Sequence, residues 1–159
     1  MGFGTGHHAT TRMCLRLLSE VDLVDRIVLD LGTGSGVLSM AAALMGARSV
    51  IGIDVDPDAI NSAETSANLN TLPDTITFVV SDFRHDPPEP AHIVLANLTG
   101  GMLTSSAAVI AALVRSGGQL ILSGLDHTEV DGVLAAFQGF SECQRLTEDN
   151  WIALHLTRP

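Results

Sequence analysis

The chain has 159 residues, of which 46% are hydrophobic and only 16% charged, so a disordered chain is excluded and one domain with its own core is expected. Its formal net charge of −10 repels phosphate backbones, which disfavours direct nucleic-acid binding and leaves a basic protein or an amine as the favoured partner, unless the acidity serves solubility alone. No stretch reaches the roughly 18–20 apolar residues of a membrane helix. No signal peptide is legible. Cys14 and Cys143 stand far apart outside any C-x-x-C pattern, so a disulfide framework is not expected and a reduced, cytoplasmic setting is.

The first residues read as the inside of a loop. Arg26–Leu31 then reads as a buried strand, and Ser35–Gly46, rich in Ala, Leu and Met, as a helix that Gly46 ends. Ser49–Asp54 is a second strand. Asp56–Asn70 is a second helix, with Asp56 as its N-cap and Pro57 in its first turn. Thr75–Val80 and Ala91–Ala96 are the third and fourth strands, separated by a proline-rich loop at Asp86–Pro90. Gly101–Val114 is helical and Gln119–Ser123 is the fifth strand. A helix at about Thr128–Phe137 precedes two strands, Glu142–Thr147 and Trp151–Thr157, joined by a hairpin turn at Glu148-Asp149-Asn150. Near-continuous apolar strands alternating with helices predict an α/β doubly wound, mostly parallel, seven-stranded Rossmann-like sheet with helices on both faces. The terminal antiparallel hairpin is the habit of class I methyltransferase sheets.

The chemistry gathers where the first strand ends. Asp30-Leu31-Gly32-Thr33-Gly34-Ser35-Gly36 runs from that strand into a helix. Glycines there let the backbone approach a ligand closely, and the helix start offers unpaired N–H groups. Asp54, followed by Val55, ends the second strand and can accept both hydroxyls of a ribose. Gly32, Asp54 and Asn97 all fall at the carboxyl edge of the sheet, where ligands of such folds bind. The glycine spacing is G-x-G-x-G, with Val37 in place of the third glycine of the G-x-G-x-x-G dinucleotide fingerprint. Asp30 would also repel a pyrophosphate, yet it favours a ligand with a sulfonium and an ammonium group, directly or by holding loop amides. That sign selects S-adenosylmethionine over NAD. Asp82 ends the third strand and has two readings: an acceptor for the adenine amino group with Phe83 beside the ring, or a loop cap. No histidine pair has metal-ligand spacing, so no metal site is expected, and His85, His92, His127 and His155 read as ordinary surface or strand residues.

Phe3–Thr11, F-G-T-G-H-H-A-T-T, is similar to the F-G-T-G-x-H-x-T-T segment of the PrmA family, bacterial methyltransferases that modify a large-subunit ribosomal protein. The resemblance is collinear through D-L-G-T-G-S-G, G-I-D-V-D-P-D-A-I, A-N-L-T-G-G-M-L and Ser123-Gly124-Leu125, so it covers essentially the whole chain. It implies that Thr11, Gly32, Asp54 and Asn97 contact the cofactor, and Thr33, Gly34 and Gly36 are expected to do so as members of the glycine turn. It implies that Phe3, Gly4, Thr5, Gly6 and His8 belong to a loop covering the cofactor, with Asn97 near the methyl group. The implied reaction transfers methyl groups to lysine side-chain and N-terminal amines of a protein, a ribosomal protein among the candidates, and releases S-adenosylhomocysteine. The family also carries an N-terminal substrate-recognition domain and linker. Here one catalytic domain, 1–159, is read without them. The His7-His8 doublet and the Asn97-Leu98-Thr99 tripeptide depart from the family pattern.

Asn97 is expected to orient the amine. His8 is the candidate to take its proton, with a loop-packing role as the alternative reading. Thr11 is expected to cap the first helix as well as touch the cofactor. Two other functions remain open at this stage: a small-molecule methyltransferase, and a cofactor-binding module without activity of its own.

Overall fold

The central strands of the sheet are apolar on both of their faces, and the fold covers both. The structure, a computed structural model, describes residues 6–159. In chain order the elements are α1 (Gly6–Ser19), β1 (Ile27–Leu31), α2 (Val37–Leu44), β2 (Ser49–Asp54), α3 (Pro57–Asn68), β3 (Ile76–Val80) and β4 (Ala91–Asn97). They continue with α4 (Gly100–Ser105), α5 (Ala107–Ala112), β5 (Val114–Asp126), α6 (Val130–Ala136), β6 (Ser141–Glu148) and β7 (Trp151–Thr157). One seven-stranded sheet has the order β3-β2-β1-β4-β5-β7-β6. The first five positions are parallel, and β7 inserts antiparallel between β5 and β6. This is the expected doubly wound sheet with its C-terminal hairpin. Among the described residues no helix is long and apolar enough to cross a membrane.

Side chains alternate across the sheet. On one face Val28, Ile93, Leu95 and Ile121 pack with Met13, Leu17 and Leu18 of α1 and Leu38 of α2. On the other face Leu29, Leu31, Val94 and Leu122 pack with Leu103 of α4, Ile110 of α5 and Val133 of α6. Each fully buried aliphatic side chain contributes roughly 1.5–3 kcal/mol. The cap expected at Asp56 is present: its Oδ1 accepts the Asp58 N–H at 2.9 Å, and Pro57 occupies the first turn.

Three local expectations are corrected. Residues 6–11 belong to α1 and not to a loop, because Ala9, Met13 and Leu17, with Thr10, Cys14 and Leu18, form a buried stripe at helical spacing. Thr11 therefore lies inside the helix and does not cap it. The single helix expected over Gly101–Val114 divides at Ser106, and its last two residues are not helical. Thr104 Oγ1 bonds back to the Gly100 and Gly101 carbonyls, each at 3.1 Å, and Ser105 Oγ to the Met102 carbonyl at 3.4 Å. Such back-bonding bends helices. Finally, β5 begins at Val114 rather than Gln119, since Val114 pairs with Ala91 before the register shifts.

Near its other end β5 carries a bulge. Its register with β7 shifts between Ser123 and Leu125, at Gly124, whose φ is +94°. Opposite it, the Leu98 N–H donates to the Ser123 carbonyl at 3.0 Å. A side chain at 124 would run into the Leu98 carbonyl, which is rigid backbone. We expect Gly124→Ala to destabilise the chain by at least about 2 kcal/mol, from left-handed strain plus overpacking, and urea unfolding monitored by circular dichroism measures it.

Candidate active site

The parallel strands all end on one edge, and their loops enclose a cavity of about 390 Å³. β1 delivers the glycine turn to its floor. Gly32 has φ +68°, and a Cβ there would lie 2.6 Å from Leu98 Cδ2, so the turn both needs a left-handed residue and allows Leu98 to close over it. The Thr33 N–H donates to the Ile53 carbonyl at 2.9 Å, which ties the turn to β2.

Asp30 is buried beneath this turn. Its Oδ2 accepts the hydroxyls of Thr33 at 2.7 Å and Ser39 at 2.8 Å, and those hydroxyls lie 3.1 Å apart. Burial pushes the Asp30 carboxyl up to about 6 from its ordinary 3.8, opposed by the two hydroxyls and reinforced by the charge of Asp54. Asp30 thus holds the turn through side-chain hydroxyls. Ser39 is a partner that the sequence did not signal, since its place in α2 looks like any small helical residue.

Asp54 reaches the cavity from the end of β2. Its Oδ2 accepts the Gly34 N–H and its Oδ1 the Asp56 N–H, each at 3.0 Å. A carboxylate has about four acceptor positions, so one on each oxygen remains for a diol. Asn97 ends β4 on the same cavity. Its Oδ1 is buried, and among the described residues it has no hydrogen-bond partner. An orphaned buried acceptor costs about 1–3 kcal/mol, which a ligand N–H would remove.

Other expected residues fall differently. Thr11, Thr33, Gly34, Val55 and Phe83 do line the cavity. Gly36 does not. It starts α2, where a Cβ would press on the Phe78 ring at 3.0 Å, so it serves helix packing. Asp82 lines the cavity, but its Oδ1 accepts the Arg84 backbone N–H and Nε, and its Oδ2 accepts Arg84 Nη2 and faces His85 Nδ1. The Arg84 guanidinium and its backbone N–H hold the Asp82 carboxyl well below its ordinary value. With its acceptor positions filled this way, Asp82 takes the loop-capping part of its two readings, and an adenine contact would require Arg84 to move. His8 is exposed near the start of α1 and does not line the cavity, whereas Thr11, nearly a turn further on, does. Gly6 is the first residue of α1. Phe3, Gly4 and Thr5 lie outside the described residues. The walls contributed by Leu38, Ile53, Leu98 and Met102 were not anticipated, because single apolar residues carry no sequence mark of facing a cavity.

Sheet order, inserted β7, glycine turn and strand-end acids together define the fold of class I S-adenosylmethionine-dependent methyltransferases. Over residues 1–159 the chain belongs to the family described as ribosomal protein L11 methyltransferase (PrmA). It is 43% identical over 133 residues to the ribosomal protein L11 methyltransferase of Pseudoalteromonas atlantica, covering 84% of this chain and 45% of that protein. It is 39% identical over 159 residues to the one from Teredinibacter turnerae, covering 99% and 53%. The chain spans about half the length of the curated relatives it matches. A crystal structure of the ribosomal protein L11 methylase from Lactobacillus delbrueckii subsp. bulgaricus superposes with a TM-score of 0.90 at 26% identity, over 96% of this chain and 80% of that one. A magnesium protoporphyrin IX methyltransferase from Synechocystis with bound S-adenosylmethionine is similar in fold alone, with a TM-score of 0.77 at 21% identity over 98% and 81% of the two chains.

The raised Asp30 carboxyl has a measurable consequence. Between about pH 4 and about pH 6 the folded chain keeps a proton that the unfolded chain has released, so this group's contribution falls as pH rises through that window and is level above it. Asp30→Asn stays neutral throughout. We expect the stability of the wild type relative to Asp30→Asn to fall by on the order of 3 kcal/mol across the window, read from urea unfolding at successive pH values.

Proposed function

We propose that this chain binds S-adenosylmethionine and transfers its methyl group to lysine or N-terminal amines of a protein, with a ribosomal protein as the substrate class and the cytoplasm as the setting. The observation that carries this reading is the buried, unpartnered Asn97 Oδ1 in the cavity that Asp54 and the glycine turn share. The cavity lies within the usual range of roughly 300–1,000 Å³ for small-molecule sites. Asp54 has acceptor positions left for ribose hydroxyls, and Asp30 adds a buried negative charge suited to a cationic ligand. When bound, S-adenosylmethionine supplies an electrophilic methyl carbon on a sulfonium sulfur.

The protein's own residues supply placement and a neutral nucleophile. A free lysine amine holds its proton up to about pH 10.4. Ile53, Phe83, Leu98 and Met102 give the cavity apolar walls, which disfavour the ammonium form. Asn97 Oδ1 then accepts one amine N–H and leaves the lone pair free for in-line attack. His8, exposed near the start of α1 and outside the cavity lining, is assigned the released proton through intervening water and not by direct contact with the amine. All eight basic residues of this chain are arginine, so methyl-lysine formed in an assay arises on the substrate and not on the enzyme.

Calorimetric titration with S-adenosylmethionine, S-adenosylhomocysteine and NAD tests the cofactor. Binding of the first two alone is expected, and binding of NAD alone would sink the reading. Asp54→Ala should weaken S-adenosylmethionine by about 1–3 kcal/mol. Asn97→Ala should reduce kcat on a ribosomal-protein substrate by about a hundredfold, through lost alignment, with a much smaller change in cofactor affinity. Mass spectrometry of the substrate reads the transfer, and methylation of free amines in preference to protein would reassign the acceptor.

A further inference from the structure

We infer that the amino edge of the sheet, opposite the methyl-transfer cavity, carries a binding site for a phosphate group. Three of the chain's eight arginines meet there. Arg26 immediately precedes β1, Arg48 immediately precedes β2, and Arg115 lies near the start of β5. The Arg48 N–H donates to the Arg26 carbonyl at 2.8 Å, which sets the first two side by side. Arg115 Nε donates to the Pro90 carbonyl at 3.3 Å, which holds the third.

His92 of β4 stands among them. The Ile27 N–H donates to His92 Nδ1 at 2.9 Å. That bond makes Nδ1 the acceptor of the ring, so Nε2 carries the proton. Nε2 lies 3.0 Å from Arg115 Nη1, and a guanidinium is donor only. Two donors therefore face each other, and among the described residues no side-chain acceptor bridges them. Burial, and then the charges of Arg115, Arg26 and Arg48, push the His92 imidazole below its ordinary value, as expected for a ring set among uncompensated cations.

The cations themselves lack counter-charges. Among the described residues Arg12, Arg84 and Arg145 each pair with a carboxylate, whereas Arg26, Arg48 and Arg115 do not. This occurs in a chain whose net charge is −10, where carboxylates are abundant. Arg26, His92 and Arg115 line a hollow of about 530 Å³. A phosphate group answers each feature. Its oxygens only accept, so one of them satisfies His92 Nε2–H and Arg115 together. Its charge offsets the guanidiniums, and its tetrahedral oxygens meet donors arriving from three strand ends. Glu20 and Asp22 also line this hollow; among the described residues they form no ion pair with these arginines, and they would repel an anion placed beside them.

The test is titration of the isotope-labelled chain with inorganic phosphate, following the Ile27 amide and the His92 ring by NMR. Saturable shifts at both are expected, and Arg115→Gln should weaken phosphate binding at least about tenfold. The remaining amide spectrum reports whether the variant is folded, and Arg26→Gln serves if it is not. Equal shifts with chloride at matched ionic strength, or unchanged binding in folded Arg115→Gln and Arg26→Gln, would overturn the site. A single-stranded RNA octamer then separates two sources of the same group. Displacement of phosphate by the octamer, weakening steeply with salt, identifies a phosphodiester. Phosphate binding that the octamer does not displace identifies a free phosphate compound.

Discussion

Leu98 sits between glycines from its two neighbouring strands, and the cavity depends on how closely it sits. Its side chain closes over Gly32 at the end of β1, and its carbonyl lies against Gly124 in the bulge of β5. The N–H of the same residue is held by the Ser123 carbonyl. With three sides of Leu98 fixed, the residue before it has little freedom. Asn97 therefore leaves β4 at a set height above the sheet, with Oδ1 buried and unpartnered. A methyl group at 124 would meet the Leu98 backbone itself, whereas one at 32 would meet the end of its side chain. The catalytic geometry proposed here is thus built from backbone contact, and backbone yields less than a side chain does.

Two carboxylates near that crossing have opposite environments and opposite work. Asp30 is buried, spends Oδ2 on two hydroxyls and has its proton affinity raised by desolvation. It organises the turn. Asp54 is partly open, accepts two backbone N–H groups and keeps acceptor capacity on each oxygen. It is available to a ligand. Asp82, the third acid on the cavity, is occupied by Arg84 and His85 and keeps its loop in place. Residue type alone does not separate these three; burial and partners do.

At the opposite edge the same parallel topology has a second effect. It brings the entries of β1, β2, β4 and β5 together, so Arg26, Arg48, His92 and Arg115 become neighbours although 22 to 89 residues separate them from Arg26 in sequence. An acidic chain therefore presents a local concentration of cations that its net charge conceals. His92 reads in sequence as an ordinary strand histidine. Only the Ile27 N–H fixes its tautomer and turns its outer nitrogen into a donor.

The sequence by itself determined whatever rests on short-range pattern. Apolar runs located the strands, Asp56 with Pro57 placed the start of α3, and the Glu148–Asn150 turn announced the terminal hairpin. The glycine turn and Asp54 were legible because a strand-to-helix turn with an acid on the next strand needs those residue types at that spacing. Tertiary structure decided the rest. Residues 6–11 became helix because the sheet face rewards their buried stripe, and the run after Gly100 divided because Thr104 and Ser105 bonded back to its carbonyls. The partnership of Asp30 with Ser39, the capture of Asp82 by Arg84 and the clamp on Leu98 also arose only on folding. These features depend on which atoms lie within about 3–4 Å of one another, and a one-dimensional pattern does not encode that proximity until the chain is packed.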